Sequence, residues 1–274
     1  MTARETLAEQ AAHRDAWLRD IAQRLGDDER FIAAWLVGSF GNGSADDLSD
    51  IDIVVVVDDS HADAVLKRAV QEIARFGETL WLQEVPGNAP SGGAYASAGF
   101  KSTPLPIAVD WYWHRLRRAL YPSDAHTLFD KGGVRRSDPP ASFAELMGRR
   151  DLPAGAGRGR PAPSDADRIG FFWAMVPVAA KYGARGWDEE AGRILRGLEE
   201  QVDPIRISPA SRRGHLGPTP PLRQLRVLID EMDHLMATLR ARGISTPDTS
   251  YAHAFMSLAE GLKQEGWRSP QGNE

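Results

Sequence analysis

Apolar residues recur at helical spacing through Leu7, Ala11, Leu18, Ile21 and Leu25, which predicts an amphipathic helix over residues 3–25 that ends near Gly26. Phe31–Val37 is short and apolar and runs into Gly38-Ser39, the pattern of a strand entering a turn. Ile51–Val57 is β-branched and apolar at every position but Asp52, so it reads as a central strand covered on both faces. Ser60 is placed to cap a following helix whose inner face is Val65, Ala69, Ile73 and Phe76. Thr79–Val85 and Leu105–Trp113 read as further strands and His126–Asp130 as an edge strand. Residues 86–104, rich in Gly, Ser, Ala and Pro, read as a loop or short hairpin.

The pattern changes after residue 148. The stretch 148–166 is crowded with Gly, Pro and Arg and reads as a linker. Helical periodicity then returns at about 167–184, 187–201, 221–242 and 249–266. Pro177 is expected to kink the first of these helices, and Pro218, Pro220 and Pro221 mark a second break. The expected architecture is α/β (α+β): a small mixed-sheet domain over 1–147, a linker over 148–166, and a helical domain over 167–274. A cleft between two such domains is a usual place for a small-molecule site.

Composition narrows the function classes. The 274 residues have a formal net charge of −5 and no cysteine. Disulfides, thiolate metal sites and cysteine nucleophiles are therefore excluded. The acidic balance and the lack of a basic stripe argue against nucleic acid as a partner. No apolar run reaches the roughly 18 residues of a membrane span. The charged start Met-Thr-Ala-Arg-Glu predicts no secretory leader and a cytoplasmic protein, monomeric or homodimeric.

The chemistry concentrates in Val37-Gly38-Ser39 and Asp50-Ile51-Asp52. Asp50 and Asp52 are two apart at a strand start, so both carboxylates face the same side. Carboxylates that close repel one another unless cations sit between them, and Mg²⁺ is the cation that shares hard oxygen ligands with substrate phosphates. Glycine at 38 lets backbone approach a phosphate, and Ser39 offers an N–H and a hydroxyl. Asp110, within Val109-Asp110-Trp111 on a later strand, supplies a third acid. It is suited to ligate metal or to take a proton from an acceptor hydroxyl. Two metals about 3.5–4 Å apart would serve both the attacking and the leaving oxygen.

Gly-Ser, some ten residues, Asp-x-Asp, then a third Asp on a later strand resembles the DNA polymerase beta-type nucleotidyltransferase superfamily. Within it the chain is most similar to the nucleotidyltransferases that modify aminoglycosides or lincosamides. The resemblance implies that Gly38 and Ser39 hold the triphosphate, that Asp50 and Asp52 bind two Mg²⁺ ions, and that Asp110 is third ligand or general base. It also implies that Lys181, in Pro177-Val178-Ala179-Ala180-Lys181-Tyr182, contacts nucleotide phosphates. Pro177 and residues 86–104 depart from the family pattern. The implied reaction moves a nucleoside monophosphate, with ATP as donor, onto a hydroxyl of a small molecule such as an antibiotic. Two competing readings are transfer to tRNA or protein, and a nucleotide-binding module without turnover. Asp46, Asp47, Asp58 and Asp59 read as solvated acids, Trp111 and Trp113 as core, His114 as a polar strand-end residue. The arginine pairs at 117–118, 135–136, 149–150 and 212–213 read as solvated.

Overall fold

The computed structural model describes residues 1–149, 163–205, 219–241 and 246–269. Most of the expected linker, Pro218 and the arginine pair at 212–213 lie outside the described residues. The chain divides into two compact units, one of Ala8–Arg160 and one of Met1–Leu7 with Pro161–Glu274.

The first unit is built on strands β1 (Phe31–Val37), β2 (Ile51–Val57), β3 (Thr79–Glu84), β4 (Ala94–Phe100), β5 (Ile107–Arg115) and β7 (His126–Asp130). Their order is β3-β4-β5-β2-β1-β7. Strands β2 and β5 pair in parallel at the centre, and the other neighbours pair antiparallel. The mixed α/β architecture and the helical second half agree with the expectation from sequence. His126–Asp130 is the edge strand expected. A separate two-residue pairing joins β6 (Leu120–Tyr121) to β8 (Arg135–Arg136).

Strand alternation sorts side chains onto two faces. Ile51, Ile53, Val55 and Val57 of β2, with Ile107, Val109, Trp111 and Trp113 of β5, enter one core. Helices α1 (Ala3–Asp27), α3 (Asp59–Lys67) and α4 (Ala69–Ala74) cover that face through Ile21, Leu25, Val65 and Ile73. Trp111 and Trp113 are fully buried there and stack 5.7 Å apart, as their core reading requires. The opposite face carries a smaller apolar cluster of Ala33, Trp35, Val37, Val54, Val56 and Ala119. A register shift between Phe31 and Ala33 puts these two residues on opposite faces, as a bulge does.

Helix α1 ends at Asp27, next to the expected end near Gly26. Asp58, not Ser60, caps α3: its carboxylate accepts the Ser60 N–H at 2.8 Å. Residues 94–100, within the stretch expected as a loop or short hairpin, form β4, which pairs antiparallel with β3 and with β5 along its whole length.

The second unit holds α6 (Asp165–Arg185), α7 (Asp188–Val202), α8 (Pro221–Ala241) and α9 (Ser250–Gln264), following α5 (Phe143–Gly148) of the first. Helix α6 packs on α7, α8 and α9. It opens on a Ser164–Asp167 capping box and closes on Gly186, at φ 79°, where the Trp187 N–H reaches the Tyr182 carbonyl. The helix is continuous through Pro177. Gly183 makes room for Leu222, whose Cδ2 lies 2.6 Å from where a Cβ would stand. Among the described residues no helix is long and apolar enough to cross a membrane.

Candidate active site

The site lies on the sheet face away from α1. Asp52 and Asp110 are register partners across the parallel β2–β5 ladder, so their Cα atoms are separated by about one strand spacing, roughly 4.8 Å. Both are half-buried. Asp50 precedes β2 by one residue. The three acids act on one neighbourhood: the Tyr112 hydroxyl is pushed well above the usual phenol range by burial, then by the charges of Asp52 and Asp110, with Asp50 contributing. Tyr95, the register partner of Tyr112 on β4, is raised in the same way by burial and by Asp110, to which its hydroxyl donates a hydrogen bond. Both phenols therefore stay protonated as donors beside the carboxylates.

The turn after β1 is fitted to Asp52. Strand pairing sets Val37 beside Asp52. Gly38 adopts φ +60°, and a Cβ there would stand 2.6 Å from Asp52 Oδ2. Only glycine satisfies both the backbone angle and this approach. Residues Gly38–Gly41 form one short helical turn, α2, rather than a bare turn. The Ser39 carbonyl accepts the Ser44 N–H at 2.9 Å, which folds the following loop back on that turn.

Arg14 anchors the loop that delivers Asp50. It is 7% exposed, and its Nη1 donates to the carbonyls of Asp46, Asp47 and Ser49, each at 3.1 Å. Its guanidinium lies 4.7 Å over the Phe40 ring. Asp46 is buried rather than solvated. It accepts the Leu48 N–H at 3.1 Å and the Ser49 hydroxyl at 3.0 Å, an Asx-type turn that fixes the approach to β2.

Residues 17–85 match the family model of the nucleotidyltransferase domain. The matched stretch runs from Trp17 in α1 through β3 and includes Gly38, Ser39, Asp50 and Asp52. It ends before Asp110. A nucleotidyltransferase domain supports nucleotidyl transfer as the general activity, a nucleotide as substrate, and divalent metal as the usual cofactor. No curated protein matches the chain.

Among the described residues no three acidic or histidine side chains converge into a ready-made metal cage. The acids nevertheless fit Mg²⁺ by their chemistry: hard carboxylate oxygens side by side, with charge strong enough to be felt by Tyr112. Magnesium keeps water and substrate phosphates among its ligands and needs only one or two carboxylates from protein.

Of the residues expected from sequence, the structure brings together Gly38, Asp50, Asp52 and Asp110, with Ser39 next to Gly38 in α2. Lys181 lies in α6 of the other unit, where it is buried. Sequence reasoning missed Arg14, Tyr95 and Tyr112. The only sequence signal for Tyr112 was its parity with Asp110 in the alternating strand Ile107–Arg115. Arg14 carried no signal beyond its place on the inner side of α1.

Proposed function

We propose that this protein is an adenylyltransferase-like enzyme that moves AMP from ATP to a hydroxyl group of a small molecule, an antibiotic of the aminoglycoside or lincosamide kind being the first class to test. The observation that carries the reading is the pairing of Asp52 with Asp110 across β2 and β5, with Gly38 backbone against the Asp52 carboxylate, inside and beside the segment similar to nucleotidyltransferase domains.

Asp50, Asp52 and Asp110 would hold two Mg²⁺ ions, which supply positive charge to the triphosphate and the reacting oxygens. Ser39 binds phosphate through its N–H and hydroxyl, and Gly38 keeps the approach open. Asp110 takes the proton from the acceptor hydroxyl, held in orientation by the Tyr95 hydrogen bond. The acceptor oxygen bonds to the α-phosphorus, the α–β phosphoanhydride bond breaks, and pyrophosphate leaves. Lys181, in the helical unit, is the residue proposed to contribute a point charge to the triphosphate.

The test uses ATP labelled at the α-phosphate, Mg²⁺ and a panel of aminoglycosides and lincosamides. Label is expected to move to the acceptor with one pyrophosphate released per transfer. Label recovered only in AMP, with no acceptor adduct from any hydroxylated compound, would contradict transfer.

A further inference from the structure

The face that carries the acids also holds a cavity that the transfer chemistry does not use. Its floor is Trp35 of β1 and His114 of β5, and one wall is Phe143, Leu146 and Met147 of α5. His114 is four residues along β5 from Asp110, about 13 Å at strand rise, and Tyr112 stands between them. The Tyr112 ring packs edge-on against Phe143 at 4.9 Å, which partitions the two sites.

The cavity is built, not incidental. Pro90 and Ser91 line its second side, and Gly93 just beyond them lies so near β5 that a Cβ would meet the Trp113 carbonyl oxygen at 2.0 Å. Gly92, at φ +66°, leaves space for Arg118, whose Cδ, Nε and Cζ lie 3.4, 3.5 and 3.7 Å from its virtual Cβ. Arg118 is thus laid along the rim, and Arg149 lines the same cavity.

Three properties define the occupant. The first is size: the cavity is about 180 Å³, and an apolar cavity of about 150 Å³ accepts a benzene ring. The second is polarity of the wall: Trp35, Leu120, Pro122, Phe143 and Leu146 are apolar. The third is the polar complement. His114 has no hydrogen-bond or ionic partner among the described residues, and burial alone pushes its imidazole down to about 4. It is therefore neutral, with one donor and one acceptor to offer. The two rim arginines add planar guanidinium forks that match a carboxylate.

We infer that this cavity binds a small aromatic carboxylate, its ring within the apolar walls and its carboxylate on the Arg118 side. The site is separate from the acids, so its occupancy does not depend on nucleotidyl transfer.

Calorimetric titration with benzoate, and with benzyl alcohol as the uncharged analogue, tests this in the full chain without nucleotide. Benzoate is expected to bind saturably and benzyl alcohol about tenfold more weakly. R118Q should weaken benzoate about tenfold, and Leu146→Trp, which fills the cavity, should abolish binding. Arg118 is exposed, so R118Q stays informative even if Leu146→Trp folds poorly. The His114 imidazole nitrogen resonances, assigned by their loss in His114→Gln, should shift at saturation in the unmodified protein. D52N should bind benzoate unchanged, which separates this site from the transfer reading. Absence of saturable binding, equal affinity for the two probes, unaltered affinity in R118Q, or unmoved His114 resonances would overturn the assignment.

Discussion

At residue 38 the chain adopts φ +60° and passes within 2.6 Å, measured from a virtual Cβ, of the Asp52 carboxylate. Gly38→Ala therefore strains the backbone by about 1–2 kcal/mol and drives a methyl group into the acid it abuts. The expected result is a modest fall in melting temperature with loss of most activity, because Asp52 must turn away. Full activity in that variant would separate Gly38 from the site. Asp110 has a neighbour that sequence did not disclose, the Tyr95 hydroxyl. If Asp110 is the base as proposed, Tyr95→Phe should lower kcat while leaving the KM for nucleotide near its original value, since the phenol would orient that base without binding phosphate. A KM change without a kcat change would assign Tyr95 to binding. The grouping of Gly38, Asp50, Asp52 and Asp110 was legible in the sequence because acids two apart at a strand start share one face and Asp110 follows on a later strand. The tyrosines were not, because Tyr95 reaches Asp110 only through the pairing of β4 with β5, a register that the open choice of loop or short hairpin over 86–104 did not set.

The elements tell the same story. The four helices of the second half appear within about two residues of their expected ends, since period and caps are local signals. Strand β2 was equally plain from its run of valines. Strand β4, Ala94-Tyr-Ala-Ser-Ala-Gly-Phe100, lacks the β-branched residues that mark a strand. It is held instead by pairing on both sides and by the Trp81 ring, whose Cζ3 lies 2.0 Å from a virtual Cβ on Gly99. The loop before β2 depends on a partner 32 residues distant, Arg14 to the Asp46 carbonyl. Arg14→Met keeps the stem but removes the buried cation with its three hydrogen bonds to loop carbonyls and its one to Asp15. The variant should lose about 1.5–3 kcal/mol of stability, read by urea unfolding, and should lose activity beyond what its folded fraction explains. An unchanged unfolding midpoint would mean the loop is held by the Asp46 turn alone.

At the scale of the whole molecule, His114 contributes to the dependence of stability on pH. Its imidazole is lowered to about 4 by burial, against about 6.5 in an unfolded chain. Between these values the unfolded state binds a proton that the folded state does not. Stability is therefore highest above about pH 6.5 and falls as the pH drops toward 4, by up to about 1.4 kcal/mol per pH unit. Unfolding at pH 7 and pH 5 should differ by about 2 kcal/mol more in the native protein than in His114→Gln. Equal pH dependence would place the imidazole in a solvated setting. The expected phosphate contact of Lys181, buried in α6, rests on family resemblance alone, because nothing in a helix pattern tells a phosphate ligand from a buried lysine with another partner. If it serves the triphosphate, Lys181→Ala weakens ATP more than adenosine in equilibrium binding; equal weakening would make it a structural residue of its helix.

We propose that Asp52 and Asp110, side by side on β2 and β5, hold a metal–nucleotide complex for transfer. Calorimetric titration with ATP, in Mg²⁺ and then in EDTA, tests it most directly because no acceptor need be known. Binding is expected to depend on Mg²⁺ in the native protein and to be strongly weakened in Asp52→Asn while the fold, read by circular dichroism, is intact. Binding that is indifferent to Mg²⁺, or unchanged in Asp52→Asn, would contradict it.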